Sequence, residues 1–355
     1  MTNSWNHRIR RTIGLTLFLA CALMGEAVAQ TMNSVADFYR GRTVTIVVGS
    51  DAGGGYDLTA RALSRHMGRY IPGQPTIIVQ NKPGASSLAA ASFVADAAPT
   101  DGTVIAAVQR PVPFQFLFGQ AGVKLDLKRL QWLGSTAKEP GVFVAWQTAP
   151  QQSFEDLRTG EMIIGGNGPS TDTELFARTL NNLFGTRLKI VSGYPGQNEI
   201  ILSMQRGEVQ GVANWSWSDI ESRHPDWISE KRVRFLLQFA LEPVASPALA
   251  GVPFILDLAR TPDERAVLTL LMQNKALGRP YFAAQKVPAE RISALRDAFD
   301  ATMRDEAFRA DASKTVGAID AVSGADMQKM LDAVYALPED LIERARKAVG
   351  SGDGR

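Results

Sequence analysis

Between Thr43 and Arg61 the chain reads TVTIVVGSDAGGGYDLTAR. The β-branched run Val44 to Val48 predicts a buried strand, Gly53-Gly54-Gly55 a turn, and the residues that follow a helix with Asp57 in its opening turn. Glycines let backbone N–H groups face a ligand without side-chain obstruction. A helix start adds partial positive charge at the same place. The segment therefore suits a small anion. A phosphate loop would need Gly-Lys-Ser/Thr after the glycines, and Tyr56-Asp57 stands there instead. No register of Gly49, Gly53, Gly54 and Gly55 supplies the dinucleotide pattern. A carboxylate held by backbone groups is the expected ligand; a tight strand-to-helix turn with no ligand is the alternative.

Strand and helix patterns then alternate. Ile77–Val79 and Val104–Val108 read as further strands, and 57–70 and 85–97 as helices. Strands spaced by helices imply βαβ units and a mostly parallel sheet. β-like runs at 130–133 and 142–146 flank Lys138-Glu139-Pro140-Gly141, where the chain is expected to cross into a second domain. A second cycle follows: strand 162–164, the glycine loop 165–172, helix 173–184, strand 188–191, the turn Gly193-Tyr194-Pro195-Gly196, helix 197–206 and strand 209–213. Two glycine loops of similar design suggest one ligand gripped from two sides. In the second loop, turn chemistry with Thr171 or Asp172 as a helix cap is the alternative. Amphipathic helices are expected near 289–304, 325–335 and 339–349, with no sustained heptad seam.

Arg8, Arg10 and Arg11, the apolar run 12–24 and Ala27-Val28-Ala29 form the three parts of an export signal. The apolar run is too short to span a bilayer, which takes about 20 residues. Cleavage after Ala29 would remove Cys21, the one cysteine, and leave 35 basic and 35 acidic residues (38 less three, 36 less one). Lipidation at Cys21 is a weaker fit, given Phe18, Leu19 and Ala20 before it. A neutral balance argues against nucleic acid or an anionic membrane as partner. His66 and His224 are distant in sequence, no zinc spacing is present, and no G-x-S-x-G elbow occurs.

The order of motifs resembles the Bug-type periplasmic solute receptors of tripartite tricarboxylate transport systems. The matching segments are Ala52-Gly53-Gly54-Gly55-Tyr56-Asp57 with Ala60-Arg61, Asn81-Lys82-Pro83-Gly84-Ala85, Ala98 to Thr103, Gly165 to Thr173, Gly193 to Gly196, and Ser246 to Leu249 with Val252-Pro253. Departures fall at Gly49-Ser50, Ser86-Ser87, Gln109 to Pro113, and Asn214, where relatives commonly carry an acid.

This resemblance implies an α/β fold of the type II periplasmic binding protein kind. The signal would occupy residues 1–29, one lobe 30–140 plus 241–355, and the other lobe 141–240, with the ligand in the crevice between them. The implied function is an extracytoplasmic receptor that closes on a small carboxylate and delivers it to integral-membrane permease subunits. A monomer is expected, located in the periplasm, with no cofactor, metal, nucleic acid or catalytic residue. Expected ligand contacts are Ser50, Ala52, Gly53, Gly54, Gly55 and Asp57 from the first loop, and Gly168, Ser170, Thr171 and Thr173 from the second, with Tyr194, Asn214 and Trp215 beyond it. Arg110, at the end of the third strand, would pair with a second anionic group, or else lie solvated or stacked on Phe114 or Phe116. Alternation places Trp215 and Trp217 on one side, either walling the crevice or capping a core. Two alternatives to transport remain: a periplasmic enzyme using Asp57, Asp172 or His224 on a small acid, and a sensing subunit for a sensor kinase.

Overall fold

A computed structural model describes residues 34–118 and 126–350; the expected export segment lies outside them. The first sheet has six strands in the order β11-β4-β10-β3-β1-β2. These are β1 (Thr43–Val48), β2 (Thr76–Asn81), β3 (Val104–Ala107), β4 (Gln131–Ser135), β10 (Pro280–Ala283) and β11 (Val322–Ser323). The second has five, in the order β7-β6-β8-β5-β9: β5 (Gly141–Trp146), β6 (Met162–Gly165), β7 (Leu188–Val191), β8 (Gly211–Ser216) and β9 (Val233–Phe239).

Period-two alternation explains why the central strands are apolar throughout. In β1, Val44, Ile46 and Val48 enter one core with Leu63, Tyr281 and Phe299, while Val47 enters another with Trp132 and Phe282. In β5, Phe143 and Ala145 face one core, and Val142, Val144 and Trp146 the opposite one. β1 pairs in parallel with β2 and β3, and β6 in parallel with β7 and β8, as expected of βαβ units. β5, in contrast, runs antiparallel to both its neighbours.

Three local differences separate the fold from the expectation. β10 lies antiparallel between β3 and β4, a central strand of four residues that periodicity could not reveal. The helix expected over 85–97 is broken at its start, because Ala85, Ser86 and Ser87 all have positive φ (47°, 53° and 73°). Ser87 Oγ donates to the Gly49 carbonyl at 2.7 Å and accepts from the Gln109 N–H at 3.2 Å, which ties this left-handed turn to the ends of β1 and β3. The C-terminal segment also divides its packing. Helices α6 (Ala289–Arg304) and α7 (Glu306–Val316) supply Leu295, Phe299 and Phe308 to a first-sheet core. The terminal helix α9 (Glu339–Val349) instead packs on α2 (Asp172–Phe184) beside the second sheet, where Arg178 Nε reaches the Val349 carbonyl at 3.0 Å.

Candidate functional site

Three helices begin at one hollow between the sheets. They are α1 (Gly55–His66), α2, and α3 (Gln197–Gln205), and their opening residues Gly54, Gly55, Thr171, Thr173, Gly196 and Gln197 line it. The N-caps Gly54, Thr171 and Gly196 are all extended, and none receives a side-chain capping bond. The first N–H groups of a helix have no acceptor within it. Each start also carries roughly half a positive charge. Three uncapped starts aimed at one space make an anion site built largely from backbone. The hollow encloses about 60 Å³, against about 10–15 Å³ for one water. A wider cavity of about 330 Å³ adjoins it through Ser50, Asp51, Gln109, Asn167 and Pro195.

Close approach explains one of the glycines and backbone conformation another. A Cβ on Gly55 would lie 2.8 Å from Asp219 Oδ1, a residue of α4 (Trp217–Arg223) beside the other sheet. Gly53 has φ +79°, a region costly for L side chains. Gly54, at φ −79°, is free of that constraint, and a Cβ there would meet only the Asp51 carbonyl at 3.6 Å.

The expected contacts separate into two groups. Ser50, Gly54, Gly55, Arg110, Thr171, Thr173 and Asn214 line the hollow, and Tyr194 lines the adjoining cavity. Ala52 is exposed, and neither Gly168 nor Ser170 lines either space. Gly53 spends its N–H on Asp57 Oδ2 at 2.8 Å, and Gly168 spends its own on Glu174 Oε1 at 2.7 Å. Asp57, buried, also accepts from Arg61 Nε and Asn81 Nδ2, both at 2.9 Å. It is therefore a brace for the glycine turn and does not line the hollow. Trp215 corrects the wall reading: it is fully buried, edge-on to Trp227 at 5.9 Å, and Trp217 packs on Phe235 at 5.3 Å. Both rings belong to the core. Asp51, Tyr56, Gln109, Asn167, Asn198 and Glu199 also line the hollow; in the sequence, nearness to the glycine loops signals all but Gln109, which adjoins Arg110 in the unusual segment 109–113.

No protein-family model matches the sequence. A curated protein of Cupriavidus necator, described as the UPF0065 protein in gbd 5'region, is 28% identical over 201 residues. The match spans 55% of this chain and 60% of that relative, less than two thirds of its length. Among solved structures, the periplasmic binding protein BugD superposes with a TM-score of 0.68 at 18% identity, covering 87% of this chain and 98% of BugD. MatC from Rhodopseudomonas palustris, solved with bound malate, gives 0.65 at 16% identity and covers 87% and 99%. The chain shares the two-lobed fold of these periplasmic binding proteins.

The floor of the hollow is a buried ionic network joining the two sheets. Arg110 is neither solvated nor free for a ligand. Its Nε pairs with Asp172 at 3.0 Å, and its Nη atoms donate to the Glu139 carbonyl at 2.9 Å and Ser216 Oγ at 2.6 Å. Asp172 also accepts from Lys275 Nζ (2.7 Å), Asn274 Nδ2 (2.8 Å) and Asn214 Nδ2 (3.1 Å). Asn214 further accepts from Lys275 at 2.9 Å, and its left-handed φ of 76° turns its amide beneath the hollow. Arg279 joins Asp219 (3.1 Å) and Glu139 (3.2 Å). Three cations thus face three carboxylates. Burial pushes the Lys275 ammonium pKa down, and the adjacent Asp172 pulls it back up in part. Lys275, Asn274 and Arg279 carry no recognisable motif and come from a distant part of the chain, so only the fold shows their role.

Across the opening, Arg223 of α4 donates to the Gly53 carbonyl at 3.3 Å and to Asn198 Oδ1 at 3.2 Å. These bonds link the first glycine turn to helices beside the second sheet.

Proposed function

We propose that the chain is a periplasmic solute receptor that closes its two lobes on a small carboxylate and presents it to a membrane permease. The observation that carries this reading is the convergence of three uncapped helix starts, one beside the first sheet and two beside the second, on one hollow. A carboxylate matches such a site because it offers lone pairs to several N–H groups at once and is favoured by the helix dipoles. The lobes are assigned by sheet membership: strands 43–135 and 280–323 in one, strands 141–239 in the other. Ser50, Gly54, Gly55, Thr171 and Thr173 are proposed as direct contacts. Arg110 and Asn214 are proposed as the support beneath them.

A receptor needs only differential affinity for its closed state. The bound malate of MatC supports a carboxylate as the ligand. Native mass spectrometry of protein purified without refolding should show a retained small acid, released unchanged on denaturation. Calorimetry of the stripped protein against a panel of mono- and dicarboxylates should give saturable binding at one site. Absence of any carboxylate binding, or a chemically altered acid, would overturn the receptor reading.

A further inference from the structure

The side of the hollow that touches α3 has the wrong charge for a simple anion. Asp51 follows β1, and Glu199 stands in the first turn of α3. A Cβ on Gly196 would lie 2.6 Å from Asp51 Oδ2 and 3.2 Å from Glu199 Oε2. The two oxygens are therefore within about 6 Å of each other, the upper bound those distances allow. One belongs to each lobe, and both residues line the hollow.

Neither carboxylate has a cationic partner among the described residues. Among the described residues no ion pair involves Asp51 or Glu199, although 24 are present elsewhere. Asp51 Oδ2 is buried and makes no hydrogen bond. Arg223, on the adjoining helix, donates to the Gly53 carbonyl and to the side chain of Asn198, beside Glu199. Burial, followed by the repulsion of Glu199, raises the Asp51 pKa. Closing the lobes thus brings two like charges, both half-buried, together across the hollow, which is unfavourable unless a positive group lies between them.

We propose that the ligand carries a protonated nitrogen as well as a carboxylate, an amino- or guanidino-carboxylate whose cation sits between Asp51 and Glu199. The inference rests on the receptor reading and sharpens it. The carboxylate lies at the starts of α1 and α2, and the nitrogen, on the α3 side, neutralises the acid pair that closure creates. Closure is then favoured only when both groups are present. Two carboxylates alone are a poor fit for a metal ion, and no group of three or more potential metal-ligating acids and histidines occurs among the described residues.

The test is calorimetry on the stripped full-length receptor with pairs that differ in the nitrogen: butyrate with 4-aminobutyrate, glutarate with 2-aminoglutarate, and adipate with 2-aminoadipate. At least one aminated member should bind ten-fold or more tightly than its nitrogen-free partner. Asp51→Asn and Glu199→Gln, both close in shape to the originals, should each shrink that gap by ten-fold or more, while nitrogen-free acids bind equally well or better. If nitrogen-free acids bind and the amine brings no gain, the inference fails and the receptor reading stands. A gap that survives both substitutions overturns the assignment to the acid pair. If neither member of any pair binds, and the broader carboxylate panel is also silent, the receptor reading fails and takes the inference with it.

Discussion

Asp57 shows how a residue can stand beside a binding loop and serve it indirectly. Burial raises its pKa, but hydrogen bonds from Arg61, the Gly53 N–H and Asn81 together more than offset this, so the carboxyl titrates below its ordinary value. A depressed carboxylate stabilises the fold above the unfolded pKa, about 3.9, and that contribution is lost as pH falls through the lower folded value. Asp57→Asn should cost about 1.5–3 kcal/mol near neutrality, the range for hydrogen bonds to a charged group. The difference from wild type, read from urea midpoints, should shrink below pH 4; a difference independent of pH would show that Asp57 is not ionised in the fold. At Gly54 the expectation is different. The φ of −79° makes a side chain sterically acceptable to the backbone, so Gly54→Val should fold with wild-type stability and lose carboxylate affinity, because the added methyls enter the hollow. Normal calorimetric binding by a folded Gly54→Val protein would remove the cradle from consideration.

At the scale of elements, what was legible in the sequence was what repeats locally. The β-branched runs of β1 and β3 and the glycine-to-helix starts at 53–57 and 165–173 follow from short-range chemistry, and the fold contains them. The break at 85–87 was not legible, because an Ala/Ser-rich stretch favours a helix until Ser87 is seen bonding to the ends of two strands. β10 was invisible for a similar reason: four residues carry no period, and their place in the sheet is decided by neighbours from positions 104–107 and 131–135. Trp215 and Trp217 were legible as a pair on one side, with a crevice wall and a core as the two readings, and their shared core decides for the second; the positive φ at Asn214 interrupts simple alternation along β8, so the choice could not be made from the sequence. The left-handed run gives its own prediction. Ser86 has φ 53° and ψ 47°, a conformation that costs an L-residue roughly 1–2 kcal/mol. Ser86→Gly should therefore raise stability by about 0.5–1 kcal/mol after the extra chain entropy of glycine is subtracted. A lower urea midpoint would mean that the Ser86 side chain contributes more than its backbone strain costs.

For the whole molecule, ion pairs join the two sheets, and in the proposed receptor they are expected to weigh on the balance between open and closed forms. Asp219 belongs to α4 beside the second sheet, whereas Arg279 immediately precedes β10 of the first, and they meet at 3.1 Å next to Gly55. Asp219→Asn keeps the shape and removes the charge. The lobes should then spend more time apart, raising the radius of gyration measured by small-angle X-ray scattering without ligand and weakening binding by about ten-fold, equivalent to roughly 1.4 kcal/mol. Ligand at saturation should restore the compact scattering curve. Unchanged scattering together with unchanged affinity would show that this pair has no part in closure.

The placement of β10 also bears on the order in which the molecule can be assembled. The second sheet draws all its strands from a continuous stretch, 141–239, whereas the first stays split until residues 280–283 slot between β3 and β4. Contacts between segments far apart in the chain form late, because the intervening loop must be closed first. The half that begins first along the chain is therefore the half that finishes last. In pulse-labelling hydrogen exchange during refolding, amides of β5, β6 and β8 should gain protection before those of β3 and β4; the reverse order would contradict this sequence of events. A chain emerging from one end, whether from a ribosome or through a translocation channel, would hold its leading half unsealed until most of its length had passed, and would then close it with a strand from near the end.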